Sequence, residues 1–388
     1  MRLPPLSYNV RSLFVRWSST LLTVIGIGAT VAVLSGVLAL QQGFSRLYTE
    51  GGRADTAIFL RPGATNESES AIQREQAQIL IKETPEIVRA DDGQALAAGE
   101  IYLAVRQRKV DGGGETNVAI RGVQPPSFEI AGVEIVEGRR FELGNDEVVI
   151  GQSLVGRIQN CKLGGEIQLN TSPFKVVGIF RSAGPAGSEI WGDVDRLGPI
   201  LERPNFSRVV ARVQKPEDVA AIAARLDGDK RIPAKVISER AYLSAQTLFL
   251  SATLVVLGTF LAVVMGAAAV FSGMNTMLAA LASRTSEIGV LLALGFRPFA
   301  IFLGFVFESL VLGLLGGVAG VLMALPLHGV RTGTTNFQTF TEVAFAFQIT
   351  PPVLVVAVGF SMILGLVGGA LPAFRAARME PCEALRHR

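Results

Sequence analysis

YLSAQTLFLSATLVVLGTFLAVVMGAAAVFSGMNTMLAALAS, residues 242–283, carries no charged side chain. A helix needs about 20 apolar residues to cross roughly 30 Å of hydrocarbon, so this run is long enough to span a membrane. Outward from it, charges are also absent from Leu21 to Leu40 and from Val343 to Phe374. Between Pro298 and His328 the one charge is Glu308. Four such runs predict four transmembrane helices, and the long interval between the first two must fold outside the bilayer. A hydrophobic fraction of 49% and a mean hydropathy of +0.41 fit that mixture of membrane and water-soluble segments. The expected fold is membrane α-helical, four transmembrane helices with a mixed α/β extracytoplasmic domain inserted between helices 1 and 2.

The expected segments are a cytoplasmic amphipathic N-terminus at 1–18, a first span at 19–42 and the inserted domain at 43–243. A second span follows at 244–273, a cytoplasmic loop at 274–298 and a third span at 299–327. A short outer loop at 328–349, a fourth span at 350–373 and a cytoplasmic tail at 374–388 complete the chain. Arg2, Arg11 and Arg16 fit the flank of a signal peptide, but 20 apolar residues exceed the usual core of about 7–15, so the first run is read as retained. Positive residues mark the cytoplasmic side of short loops. Arg2, Arg11 and Arg16, then Arg284 and Arg297, then Arg375, Arg378, Arg386 and Arg388 all place both termini inside.

In the inserted domain, Thr56–Leu60 reads as a strand, and Ser68–Glu83 as a helix with Ile72, Ile79 and Leu80 on one face. Ile101–Val110 and Thr116–Arg121 flank Asp111-Gly112-Gly113-Gly114 and so predict a hairpin. Val148–Ile150, Glu166–Leu169 and Lys175–Phe180 read as strands. Val209–Val213, Pro216–Leu226 and Lys235–Ile237 read as a β-α-β unit. Small residues form rows within the spans: Ser309, Gly313 and Gly317; Gly316 and Gly320; Gly28, Ala32 and Gly36; Gly365 and Gly369. Such rows bring helices close, within one chain or between two.

Several chemistries are excluded by pattern. The sequence holds no G-x-x-x-x-G-K-[ST] phosphate loop, no H-E-x-x-H helix and no G-x-S-x-G elbow. With two histidines, His328 and His387, a His-rich metal site has no material, and an intramembrane serine hydrolase lacks its base. The net charge of +3 gives no nucleic-acid footprint. Cys161 and Cys382 fall in different segments and make no disulfide framework. Cys161 reads as a small packing residue rather than a redox group.

Two features invite a functional reading. Glu308 lies ten residues past Pro298, about 15 Å along a helix, where an acid is costly to insert and is a functional candidate by default. It pairs with a neighbouring helix, snorkels inward, or serves a conformational or coupling role; a proton relay lacks a second acid. Met274–Phe296 is amphipathic: Leu278, Leu281, Ile288, Leu291, Leu292 and Leu294 surround Arg284, Ser286 and Glu287, with Gly295 and Pro298 as breakers. Arg284 and Glu287 are three apart and can pair. Such a stretch suits the inner membrane face or a partner protein.

Taken together these segments resemble the MacB/FtsX-type permeases of ABC exporters. The resemblance rests on Asn9-Val10-Arg11 before the first span and on Glu137-Gly138-Arg139-Arg140-Phe141, Glu147–Gly151 and Val176–Ile179 in the domain. It rests further on Met274-Asn275-Thr276-Met277, Arg284, Glu287-Ile288-Gly289 and Ala293-Leu294-Gly295 before the third span, on Glu308 within it, and on Pro372–Pro381 with Glu383–Arg386 at the end. It implies a permease, itself not an enzyme, that dimerises with an identical or different subunit and binds two copies of a separate ATPase. ATP and Mg would be bound there, and no cofactor by this chain. Met274, Asn275, Arg284, Glu287, Ile288, Gly289 and Gly295 would form the ATPase-coupling loop, with Arg284 and Glu287 the best candidates for contact with the ATPase. ATP-driven closure would move the outer domain (mechanotransmission) and export a hydrophobic or amphipathic substrate, lipid, peptide or lipoprotein. The alternative is an FtsX-like transmitter that activates an extracellular enzyme without transport. The resemblance also admits a periplasmic adaptor and places the chain in the cytoplasmic membrane. It departs from MacB proper, where an ATPase domain precedes the first span.

Overall fold

The computed structural model describes residues 17–379 except 111, 230 and 337. The expected amphipathic start, with Arg2, Arg11 and Arg16, and the C-terminal motif from 380 onward, with Cys382, lie outside the described residues. Helix α1 (Trp17–Gly51) leads into β1 (Thr56–Leu60), α2 (Arg74–Lys82), β2 (Ala97–Arg108), β3 (Glu115–Val123) and α3 (Pro126–Ile130). Next come β4 (Glu134–Gly138), β5 (Glu147–Gly151), β6 (Glu166–Leu169), β7 (Ser172–Arg181), β8 (Glu189–Asp193) and α4 (Val194–Ile200). Then follow β9 (Arg208–Arg212), α5 (Asp218–Asp227), β10 (Lys235–Ser238), α6 (Glu239–Ala282), α7 (Thr285–Ala293) and α8 (Pro298–Ala324). A hairpin of β11 (Arg331–Thr335) and β12 (Glu342–Ala346) precedes α9 (Pro351–Ala377). Four of these helices, α1, α6, α8 and α9, are long and apolar enough to cross a membrane. The chain divides into two compact units, and residues 44–250 with 331–345 make the α/β one.

Its ten-stranded sheet runs β10-β1-β9-β2-β3-β8-β5-β7-β4, with β6 also paired to β7. Pairs β3/β8 and β5/β7 are parallel and the other ladders antiparallel. Strand residues alternate between faces, and directly opposite residues share one. The register sets Glu100 opposite Arg208, Tyr102 opposite Arg121, and Arg121 opposite Trp191, so one face carries charge across four central strands. The other face is apolar: Phe59, Ile101, Ile120, Ile150, Ile190 and Val209 pack with Leu80 of α2, Leu197 of α4 and Ile222 and Leu226 of α5. Strand β1 and the β2/β3 hairpin follow the sequence expectation. So does the β-α-β unit, since β9 and β10 flank β1 and are both antiparallel to it.

Two segments differ from expectation. The helix expected from Ser68 begins at Arg74 instead. Asn66 Oδ1 accepts the backbone N–H groups of Ser68 (2.9 Å) and Glu69 (3.2 Å), and Ile72 exchanges backbone bonds with Phe206. An Asn side chain offers the backbone an alternative to the helix ladder, and here that alternative wins. The stretch expected as a short loop at 328–349 contains the β11/β12 hairpin, and its 331–345 part belongs to the α/β unit. Glu342 takes bonds from Lys109 Nζ (2.8 Å), Thr116 Oγ1 (2.6 Å) and Arg157, and Asn336 Nδ2 donates to Tyr48 Oη and Gln246 Oε1, both at 2.9 Å.

In the helical unit the small-residue rows are used within the chain. A Cβ at Gly313 would lie 2.7 Å from Ser361 O, and one at Gly317 would overlap Ser361 Oγ, so this row holds α8 against α9. A Cβ at Gly320 would lie 2.6 Å from Gly28 O, so the second row holds α8 against α1. Interhelical attraction in lipid comes from such close packing rather than from water exclusion. The hydroxyls of Thr23 and Thr276 add a 2.9 Å contact between α1 and α6.

Candidate functional site: the linking helix and its buried ion pair

The segment between the second and third spans divides in two. Met274 and Asn275 lie on α6 itself, which continues unbroken to Ala282. Ser283 and Arg284 lie between α6 and α7, where Thr285 Oγ1 donates to the carbonyls of Leu281 (3.2 Å) and Ala282 (3.0 Å) at the end of α6. Helix α7 ends in a Schellman motif. Gly295, at φ +86°, sends its N–H to Leu292 O, and Phe296 sends its N–H to Leu291 O. Arg297 is extended and Pro298 opens α8, where its missing N–H costs nothing. The sequence thus writes a short helix with a defined stop and an immediate restart.

Helix α7 is two-faced. Ile288 and Gly289 are buried, and Ile288 and Leu292 pack with Met277, Leu281, Ile301, Phe305, Ala373 and Ala376. Ser286, Glu287, Val290, Ala293 and Leu294 point outward, with Leu294 72% exposed. The two best contact candidates therefore separate. The Glu287 side chain is 54% exposed, whereas that of Arg284 is only 12% exposed and turns inward. Arg284 Nη1 lies 3.3 Å from Glu308 Oε2, and its Nε lies 3.9 Å from Glu287 Oε2. Glu308 itself is 5% exposed on α8. The carboxylate in the third span is thus paired to a residue that joins α6 and α7.

The sequence reading missed a second constellation, on the charged face of the sheet. Arg121 Nε donates to Glu189 Oε2 (2.7 Å), Nη1 to Glu67 Oε2 (2.7 Å) and Glu100 Oε2 (3.1 Å), and Nη2 to Glu67 Oε1 (3.0 Å) and Glu189 Oε1 (2.8 Å). Every guanidinium donor is engaged, since arginine has five. Arg208 binds Glu100 at 2.7 Å, Trp191 Nε1 donates to Glu189 at 2.7 Å, and Arg121 lies over the Tyr102 ring. Burial alone would raise the Glu67 carboxyl, but the charges of Arg121 and Arg208 hold it below its usual range. Burial would likewise lower Arg121, and Glu189 and Glu67 hold it well above its ordinary value. The signal was the phase of Arg121, which falls with Ala119 and Val123 on one strand face. A cavity of about 60 Å³ borders this cluster, lined also by Tyr48, Tyr242, Gln246 and Asn336. Among the described residues no group of acids, His or Cys has the arrangement of a metal site. Cys161 is buried and its thiol is pushed up to about 12 by that burial, as a packing residue should be.

An α/β domain inserted between the first two of four membrane helices, with a short helix between the second and third, defines a polytopic membrane protein built around an intervening domain. The MacB-like periplasmic core domain matches residues 20–228, and the FtsX-like permease C-terminal domain matches residues 259–381. The chain belongs to the MacB/FtsX-like ABC transporter permease family. It is similar to the macrolide export ATP-binding/permease protein MacB 1 of Aeromonas hydrophila subsp. hydrophila, at 28% identity over 93% of this chain and 56% of that protein. It is also similar to an uncharacterized ABC transporter permease, YvrN, of Bacillus subtilis, at 24% identity over 98% of both chains. The chain spans about half the length of the MacB proteins it matches, 43% and 56% in two of them. The crystal structure of the periplasmic region of MacB from Actinobacillus actinomycetemcomitans aligns with 50% of this chain and 92% of that chain, at 12% identity and a TM-score of 0.38.

Proposed function

We propose that this chain is the permease of an ABC-type complex in the cytoplasmic membrane, with both termini cytoplasmic and the α/β unit outside. ATP and Mg are bound by an ATPase subunit, two copies of which serve a dimer of permeases. The observation that carries this reading is the outward face of α7. Glu287, Val290 and Leu294 are presented on a helix whose opposite face is fixed into the four-helix unit. Met274 and Asn275, on α6, take no share of that face. A partner seated on α7 pushes on a helix braced by Ile288, Leu281 and Phe305 rather than on a loose loop.

The work done is force transmission to the α/β unit and through it the export of a hydrophobic or amphipathic substrate. Two features support motion over conduction. The helices meet at glycine rows with no room for a Cβ, and the void between them beside Ser309 and Gly369 measures about 10 Å³, room for one water at most. Helices α1 and α6 also exceed a membrane crossing, and their turns Phe44–Gly51 and Glu239–Leu250 belong to the α/β unit. The test is co-reconstitution of the full chain with its ABC ATP-binding subunit. Turnover of ATP should depend on this chain, and Glu287→Arg with Leu294→Arg should abolish that dependence. Stimulation by an amphipathic substrate then identifies an exporter, and its absence a transmitter. Equal turnover with the double variant refutes the docking assignment.

A further inference from the structure

We infer that Arg284 and Glu308 are a positioning pair that fixes α7 against α8, so that a push on α7 is delivered to the third span. The inference rests on the reading of α7 as the docking helix and goes beyond it by naming the residues that carry the load inward. Arg284 sits at the joint between α6 and α7, while Glu308 sits ten residues into α8, so one ion pair at 3.3 Å ties three helices. Both partners are shielded, with side chains 12% and 6% exposed. A carboxylate inside a membrane helix is expensive unless paired, so the pair holds its geometry against sliding of α7 along the bundle.

Arg284 is also the inner end of a short relay. Its Nε lies 3.9 Å from Glu287, whose side chain is more than half exposed on the outward face of α7. A guanidinium shared between an exposed and a buried carboxylate links what happens at the docking surface to charge balance in the span. The apolar contacts of Ile288 and Leu292 hold α7 down, but they are non-directional, since packing of this kind scales with area rather than with register. The ion pair supplies the register.

The experiment uses the full chain in lipid nanodiscs with its ABC ATP-binding subunit, and compares Arg284→Gln, Glu308→Gln and the swap Arg284→Glu/Glu308→Arg. Co-elution of the subunit and the KM for ATP should stay within about twofold of wild type, because the outward face of α7 is untouched. The stimulated kcat should fall at least about tenfold in each single variant, a loss corresponding to about 1.4 kcal/mol, and recover to at least a third of wild type in the swap. A second measurement does not depend on the ATPase: the distance distribution between spin labels at Val290→Cys on α7 and Leu314→Cys on α8. It should be narrow in wild type and the swap, and broadened in both single variants. If the wild-type chain neither binds nor stimulates the subunit, the docking reading fails, and the spin-label widths alone decide the pair. Unchanged widths in the single variants, unchanged kcat, or a swap no better than the single variants overturns the inference.

Discussion

Arg121→Met removes one charge from a site that leaves it nothing to be replaced by. Methionine fills a similar volume, so the change isolates charge from packing. In the native protein five N–H groups of Arg121 meet three carboxylates, all buried. Charged hydrogen bonds contribute about 1.5–3 kcal/mol each, a gross sum of roughly 7–15 kcal/mol. The net loss is smaller, because Arg208 still pairs with Glu67 and Glu100, and broken buried pairs cost about 3–5 kcal/mol in practice. For a unit of this size 1 kcal/mol moves Tm by about 2–4 °C, so a drop of roughly 8–16 °C follows from 4 kcal/mol. Trp191 reports the transition directly, since its indole donates to Glu189 within the cluster. The assay is thermal unfolding of the full chain in detergent at pH 7, followed by fluorescence in a Trp17→Phe background. The gap between wild type and variant should narrow as pH falls below about 4.3, the unfolded value of Glu67, and through the depressed value that Arg121 and Arg208 give it in the folded wild type. A Tm within 2 °C of wild type at pH 7 would refute the claim that this cluster holds the sheet's charged face together.

Gly317→Leu should separate α8 from α9, because even a Cβ there meets Ser361; a loss of folded protein on size exclusion checks it, with the exposed Leu314→Ala as an unaffected control. Glu67 and Glu342 are both held below the ordinary carboxylate range despite burial that would raise them, Glu67 by Arg121 and Arg208 and Glu342 by Lys109, Thr116 and Arg157. Their contribution is therefore complete above about pH 4.3 and is lost as pH falls through their folded values, which acid titration of Trp191 fluorescence should show. Cys161, raised by burial to about 12, should resist iodoacetamide at pH 8 in the native Cys382→Ser protein and react after denaturation.

The four spans were legible because a membrane helix needs only an uninterrupted apolar run, a signal that each segment carries by itself. Strands β1, β5, β6 and β7 were legible for a similar reason, as short β-branched runs between turns. Strand β8 was not: Glu189-Ile190-Trp191-Gly192-Asp193 begins and ends in acids and reads as loop. Both acids are buried, Glu189 by pairing with an arginine 68 residues earlier in the chain. Long-range partners of that kind leave no local pattern. The hairpin at 331–345 was hidden in the same way, since Asn336 and Glu342 find their partners across the α/β unit. In the candidate site, the sequence singled out the segment 274–298 and the acid Glu308. Spacing joined Arg284 to Glu287, three residues on, and left Glu308 without a named partner. The structure makes Glu308 the closer partner of Arg284, because the chain turns back on itself at Gly295 and Pro298.

The central claim, that α7 is where an ATPase seats, is tested most directly by a photo-crosslinker placed at Val290 of the full chain in membranes. An ultraviolet-dependent adduct between this chain and the ABC ATP-binding subunit is expected from Val290, and none from Leu314 on α8. Adducts from Leu314 but not from Val290, or from neither position in a complex that hydrolyses ATP, would contradict it.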